Sequence, residues 1–228
     1  IALNAPIFAA AALLGAALGT ASAQALGVPD TELDAGLWGF NGALIAIALL
    51  FFLQANAWLW VCVLLAVTSG TVLAAAMQRF WSQPSLTAPF VWESWCFFLA
   101  SARFGRLENS HLLPSAGLPQ AATVEGVVSV STIAQGLLHG VAQVFFQENL
   151  WTGAVFLLGL LLASRKAALL AVLGSLSGAL IAWALGAAEP AIRAGAFGFN
   201  SVLVAIALQG VFLTADWRSA CYTALALL

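Results

Sequence analysis

The sequence predicts an all-α integral membrane protein, a polytopic helical bundle with an internal duplication. Three observations carry this expectation. The 228-residue chain is 63% hydrophobic and 7% charged, with a mean hydropathy of +1.02. A soluble domain carries about a quarter charged residues, so this chain has too little polar surface to cover itself in water. Apolar runs approaching the roughly 20 residues that a spanning helix needs follow one another along it. Finally, one apolar phrase is written twice: Gly36–Leu49 reads GLWGFNGALIAIAL and Gly195–Leu208 reads GAFGFNSVLVAIAL.

In chain order, the apolar segments are 5–26, 36–53, 57–79, 86–102, 126–147, 150–164, 167–186, 195–213 and one beginning at 218. The first ends in GTASAQALG, which imitates a signal-peptide cleavage site. No basic stretch precedes it, and a second copy of the segment exists downstream, so it reads as part of the fold. Gly15/Gly19, Gly136/Gly140 and Gly174/Gly178 are small-xxx-small spacings, which let helices approach closely in lipid. In QPSLTAPF (Gln83–Phe90), Pro84 and Pro89 flank Thr87 and break or kink the chain there. Segment 126–147 is polar for its depth, with Gln135, His139, Gln143 and Gln147, and is the best candidate for a re-entrant half-helix. Arg103–Glu125 is polar and reads as a linker.

Gly39-Phe40-Asn41 and Gly198-Phe199-Asn200 are 198 − 39 = 159 positions apart. Without gaps, that offset pairs Gly15 with Gly174, Gly19 with Gly178, Ala25-Leu26-Gly27 with Ala184-Leu185-Gly186, and Trp58 with Trp217. Composition bias matches alanines and leucines, but not glycines, Phe, Asn and Trp in register. The expected organisation is a first repeat at 1–103, a linker at 104–125 and a second repeat at 126–228. At this offset the first repeat has no counterpart of 126–159, and the second none of 70–103. With Ile1 first and Met77 the single methionine, the sequence reads as a two-repeat protein cut at both ends. Six apolar segments lie between Asp34 and Arg193. Six crossings make the repeats parallel, whereas one re-entrant segment leaves five and inverts them. Basic residues fall on both sides, so the positive-inside rule does not decide orientation.

The net charge of −2, with seven scattered basic residues, leaves no footprint for nucleic acid. Three cysteines in apolar runs read as small hydrophobes. Two histidines, His111 in the linker and His139 without a partner in sequence, form no metal or catalytic motif. Neither an enzyme nor a cofactor is expected. What remains is polar but mostly uncharged: Asn41 and Asn200 at equivalent depths, Thr87 between prolines, and Gln143 and Phe146 three apart on one helical face. Taken singly, each reads as interhelical glue or packing. Together, in a duplicated frame, they suggest a lined pathway for a neutral polar solute.

These residues resemble the urea transporter family. Its Leu-Pro-x-x-Thr-x-Pro-Phe signature stands here as Gln83–Phe90, its Gly-Phe-Asn segment as Gly39–Asn41 and Gly198–Asn200, and its Gly-x-x-Gln-Val-x-Phe-x-x-Asn segment as Gly140–Asn149. Gln83 departs from the leading Leu, His139 from a basic residue before the glycine, and Glu93 is an extra ionisable group. The resemblance implies a passive, channel-like urea permease in which two inverted halves with re-entrant half-helices enclose one pore per subunit and subunits form homotrimers. Carried over, Phe40, Leu44, Phe199 and Leu203 would line a slot, Thr87 would face its centre, and Gln143, Val144 and Phe146 would form a vestibule wall. Asn41 and Asn200 are read as structural. The Ala-, Leu- and Trp-rich composition hints at a bacterial inner membrane.

The physics agrees. Urea is flat and neutral, with apolar faces and N–H donors on its edge. Aromatic rings above and below hold it edge-on, and Gln and Thr oxygens replace its lost water hydrogen bonds. A slot without charge leaves ions facing the full penalty of leaving water. Two alternatives stand beside this reading. One is a channel for another small neutral solute such as ammonia, a short amide or water. The other is a truncated remnant that transports nothing.

Overall fold

The computed structural model describes residues 1–2, 4–81, 85–108, 110, 126–214 and 216–227. Gln83, Pro84, His111 and most of the expected linker therefore lie outside the described residues. The chain forms two compact units, Ile1–Gly117 and Leu118–Leu228, and the regular elements of both are helices.

In the first unit, α1 (Pro6–Ala25) opens with proline in its first turn, where a missing N–H costs nothing. It stops at Gly27, whose φ of 76° suits a residue without a Cβ. A short helix, α2 (Asp30–Asp34), leads to a second left-handed glycine, Gly36, from which α3 (Leu37–Phe52) starts. α4 (Ala57–Phe80) is capped by Asn56, whose side-chain oxygen accepts the Leu59 N–H at 2.9 Å. Exposed Trp58 and Trp81 flank α4 about 34 Å apart at 1.5 Å per residue. They match the two interfaces of a hydrocarbon layer about 30 Å thick. α5 (Ala88–Ser101) begins anew after the break, with Pro89 in its first turn.

The second unit adds α6 (Val130–Gln143), opened by a capping box between Ser129 and Thr132, and α7 (Leu150–Ala163), capped by Asn149. Then come α8 (Arg165–Ala184), α9 (Glu189–Arg193), α10 (Gly198–Ala205) with a π-helical continuation over Ile206–Phe212, and α11 (Trp217–Ala226). Among the described residues, α1, α4, α8 and the run Glu189–Phe212 are long and apolar enough to cross a membrane. α6, at 14 residues, is about 21 Å long and falls short of one.

The 159-residue offset of the sequence recurs in the backbone. α8 begins and ends 159 positions after α1 (165 − 6 and 184 − 25), and α9 does so after α2 (189 − 30 and 193 − 34). Gly186 and Gly195 repeat the left-handed turns of Gly27 and Gly36. The tightest packing repeats as well. A methyl group on Gly15 would strike the Gly42 carbonyl, and one on Gly174 the carbonyl of Ser201. Gly19 faces the Trp38 carbonyl as Gly178 faces that of Phe197. These close approaches seat α1 on α3 and α8 on α10.

One pairing read from the sequence is corrected. Beyond the π-helical segment the offset becomes 160: extended Leu213 matches Leu53 (213 − 53), and the cap Asp216 matches Asn56 (216 − 56). The wider π turn absorbs one extra residue, so Trp217 corresponds to Ala57 rather than Trp58. Within the π turn, Gln209 donates to the hydroxyls of Ser219 (3.0 Å) and Thr223 (3.2 Å) on α11. The matching positions of α4, Leu59 and Val63, are fully buried apolar side chains. The second unit thus carries a polar seam where the first has a dry one.

The glycine contacts lead to a direct expectation. Gly174→Leu forces a side chain into the Ser201 carbonyl and should destabilise the fold by about 1–3 kcal/mol. Gly159→Leu enters open space and should be nearly neutral. Thermal unfolding in detergent separates the two.

Candidate functional site

In the first unit, α3, which carries Phe40 and Leu44, packs against α5, whose N-cap is Thr87. Phe40 and Leu44 stand four apart on α3, hence on one face. Phe40 is half-buried and Leu44 fully buried. Thr87 is the N-cap residue of α5, but its hydroxyl makes no capping hydrogen bond. Its position is set by the turn before it. Leu86 takes a φ of 47°, costly for a side-chain-bearing residue, and the Leu86 carbonyl accepts the Asn41 amide at 2.8 Å. Asn41 therefore ties α3 to the chain one residue ahead of Thr87. A cavity of about 30 Å³ lies beside this junction, lined in part by Asn41, Thr71, Gln78, Ser85 and Leu86.

In the second unit, Gln143 ends α6, Val144 and Phe146 follow it in a turn, and Phe199 and Leu203 lie on α10, which packs against α6. α6 crosses α10 and α8 where Gly140 meets Gly198 and the Ser175 hydroxyl. Gln143, one turn further along α6, donates to the Ala194 carbonyl at 3.1 Å. Val144 packs against the cluster of Val141, Ala171 and Val202. Phe199 and Leu203, four apart on α10, are half-buried.

The expectation that Gln143 and Phe146 share a helical face is not met. α6 ends at Gln143, and Phe146 has a φ of 54°, inside a tight turn closed by its N–H on the Gln143 carbonyl at 2.9 Å. The left-handed residue breaks the helical period, so the two side chains leave the backbone in unrelated directions. Buried Gln147 supports that turn by donating to the carbonyls of Phe145 and Phe146, both at 3.2 Å. A strained φ on a non-glycine persists only where its surroundings hold it.

Other polar groups have partners that sequence reading missed. His139 lies with Nδ1 2.7 Å from the Arg193 carbonyl. A carbonyl only accepts, so Nδ1 carries the proton. Glu189 Oε1 accepts from Thr132 (2.7 Å) and from Arg193 Nε (2.9 Å) and Nη2 (2.5 Å). The i, i+4 spacing of Glu189 and Arg193 was the available signal. Glu93, buried on α5, accepts a short hydrogen bond from Ser69 on α4. Twenty-four residues separate that pair, and no local pattern announces it. Among the described residues, no group of three or more His, Cys, Asp or Glu is placed to hold a metal.

Comparison with known proteins supplies a family. The urea transporter family model matches residues 1–228. The chain is 29% identical over 221 residues to Urea transporter 1 of Rattus norvegicus, covering 94% of this chain and 57% of that protein. It is 28% identical to the Mus musculus protein of the same name over 222 residues, with the same two coverages. Against the Ovis aries protein it is 29% identical over 213 residues, 90% of this chain and 55% of that one. The chain thus spans a little over half the length of these relatives.

Glu189 offers a test of how the second unit is held. Glu189→Ala leaves the buried Thr132 hydroxyl only Ser129 Oγ, at 3.0 Å, to donate to and takes the carboxylate from Arg193, and should cost about 1–3 kcal/mol. Glu189→Gln keeps one acceptor and should cost less. Thermal unfolding of both variants checks the order.

Proposed function

The chain belongs to the urea transporter family, and from that premise we propose that it forms a passive pathway for urea across the membrane. The observation that carries the proposal is the family match over the whole chain, and the paired Gly-Phe-Asn helices give it a physical form. The residues assigned to the pathway are Phe40, Leu44 and Thr87 in the first unit, and Gln143, Val144, Phe146, Phe199 and Leu203 in the second. Phe and Leu supply flat apolar contact to the faces of urea. Thr87 and Gln143 supply oxygens to its N–H edge. Two facts support these roles: the Thr87 hydroxyl is not spent on capping α5, and each Phe–Leu pair shares one helical face.

The same reading takes the two units as copies of one ancestral repeat in inverted orientation, with α6 as a half-helix, and the assembly as a homotrimer. The bacterial inner membrane, suggested by composition, remains part of the proposal. The named relatives are mammalian.

Stopped-flow light scattering on proteoliposomes tests the assignment, using the protein that carries this chain. Thr87→Val deletes one oxygen and should slow urea flux about three- to tenfold, the net value of one hydrogen bond. Phe40→Ala and Phe199→Ala should admit larger amides relative to urea. Unchanged selectivity in both phenylalanine variants would remove the slot from the account. Ammonia or glycerol passing in place of urea would move the function to another neutral solute.

A further inference from the structure

We infer that Asn41 is a positioning residue for the solute pathway, setting Thr87 through the backbone of Leu86. This deepens the urea reading and rests on it for the role of Thr87.

The amide of Asn41 has one consistent orientation. Nδ2 lies 2.8 Å from the Leu86 carbonyl oxygen, with the Leu37 carbonyl at 3.5 Å as a weaker second acceptor. The opposite orientation sets two oxygens against each other. The bond spans 45 residues and joins the second turn of α3 to the Ser85–Ala88 turn ahead of α5. The turn needs such a hold. Leu86 sits at φ 47°, and among the described residues the turn around it is closed by the Ala88 N–H on the Ser85 carbonyl at 2.9 Å. Thr87 follows at once, with φ −93° and ψ 4°. Its side-chain direction is therefore set by the peptide plane that Asn41 grips.

The other end of the amide agrees. Asn41 Oδ1 is buried and, among the described residues, has no hydrogen-bond partner. It belongs to the cavity of about 30 Å³, whose lining includes Thr71, Gln78 and Ser85. That space is large enough for about one water, and Thr71, Gln78 and Ser85 offer it polar partners. A water there would complete the clamp without loosening its grip on Leu86. In the second unit the matching register positions, Phe197, Asn200, Ser201 and Val204, also line a groove, of about 510 Å³. In both copies the asparagine lines a groove.

The test uses the protein that carries this chain in proteoliposomes, with Asn41→Asp and Asn41→Ser, each alone and combined with Thr87→Val. Asp places an acceptor against the Leu86 carbonyl. Ser is too short to reach it and gives a milder variant should Asp not fold. Either variant should slow urea flux at least about threefold, the net size of one hydrogen bond, and shift the urea-to-acetamide ratio. Over Thr87→Val, neither should add a further change. Purely structural damage lowers the amount of folded protein but leaves that ratio alone. Equal effects with and without Thr87, or no effect, would overturn the inference. Amide hydrogen exchange at Leu86–Phe90 is read in parallel and needs no flux. Faster exchange in Asn41→Ser supports the clamp, and unchanged exchange refutes it, even if the wild-type protein passes no urea and the urea reading itself falls.

Discussion

Each unit is built on a pair of helices that meet backbone to backbone. Lipid tails are as apolar as leucine, so the hydrophobic effect does not drive helices together within a bilayer, and close approach has to. Gly15 and Gly19 of α1 lie against the carbonyls of Gly42 and Trp38 on α3, and Gly174 and Gly178 repeat this against Ser201 and Phe197. Backbone contact of this kind permits neither sliding nor rotation. It fixes which face of α3 and α10 is spent on packing. Phe40 and Leu44 stand two positions beyond Trp38 and Gly42, which is about 200° around the helix. They are consequently turned away from the seam. The glycines that carry no chemistry thus decide where the phenylalanines point.

The copies then diverge where polarity enters. In the first unit, Leu59 and Val63 close the seam of α4 with fully buried apolar side chains. In the second, the extra residue of the π turn brings Gln209 onto Ser219 and Thr223. Buried polar groups in a membrane must pair, and the described ones mostly do: Glu189 with Thr132 and Arg193, Glu93 with Ser69, His139 with the Arg193 carbonyl. Asn41 Oδ1 and the Ser94 hydroxyl are the exceptions among the described side chains. The first of these lies at the junction that holds Thr87.

The helices were legible because the pattern that identifies them is local. An apolar run of about spanning length bounded by glycine or proline reads as a helix wherever it occurs, and α1, α3, α4, α5, α7 and α8 fall within a few residues of their expected bounds. The glycine seams were legible for the same reason, as small-xxx-small spacings. α2 and α9 were missed, being one turn each and polar. The π turn was hidden because ungapped pairing absorbs a one-residue insertion until the caps at Asn56 and Asp216 expose it. At the site, residue types were readable and geometry was not. Nothing in VFF foretells a left-handed Phe146, and helical spacing then gives the wrong face for it. The tie from Asn41 to Leu86 spans 45 residues, beyond any periodic signal.

The proposed function stands or falls on passive passage of urea itself. Exchange of labelled urea into vesicles holding the protein that carries this chain tests it most directly, with no gradient and then with a proton or sodium gradient imposed. Saturable exchange at one rate under all three conditions is the expected result. Exchange that requires a gradient, or none above protein-free vesicles, would contradict it.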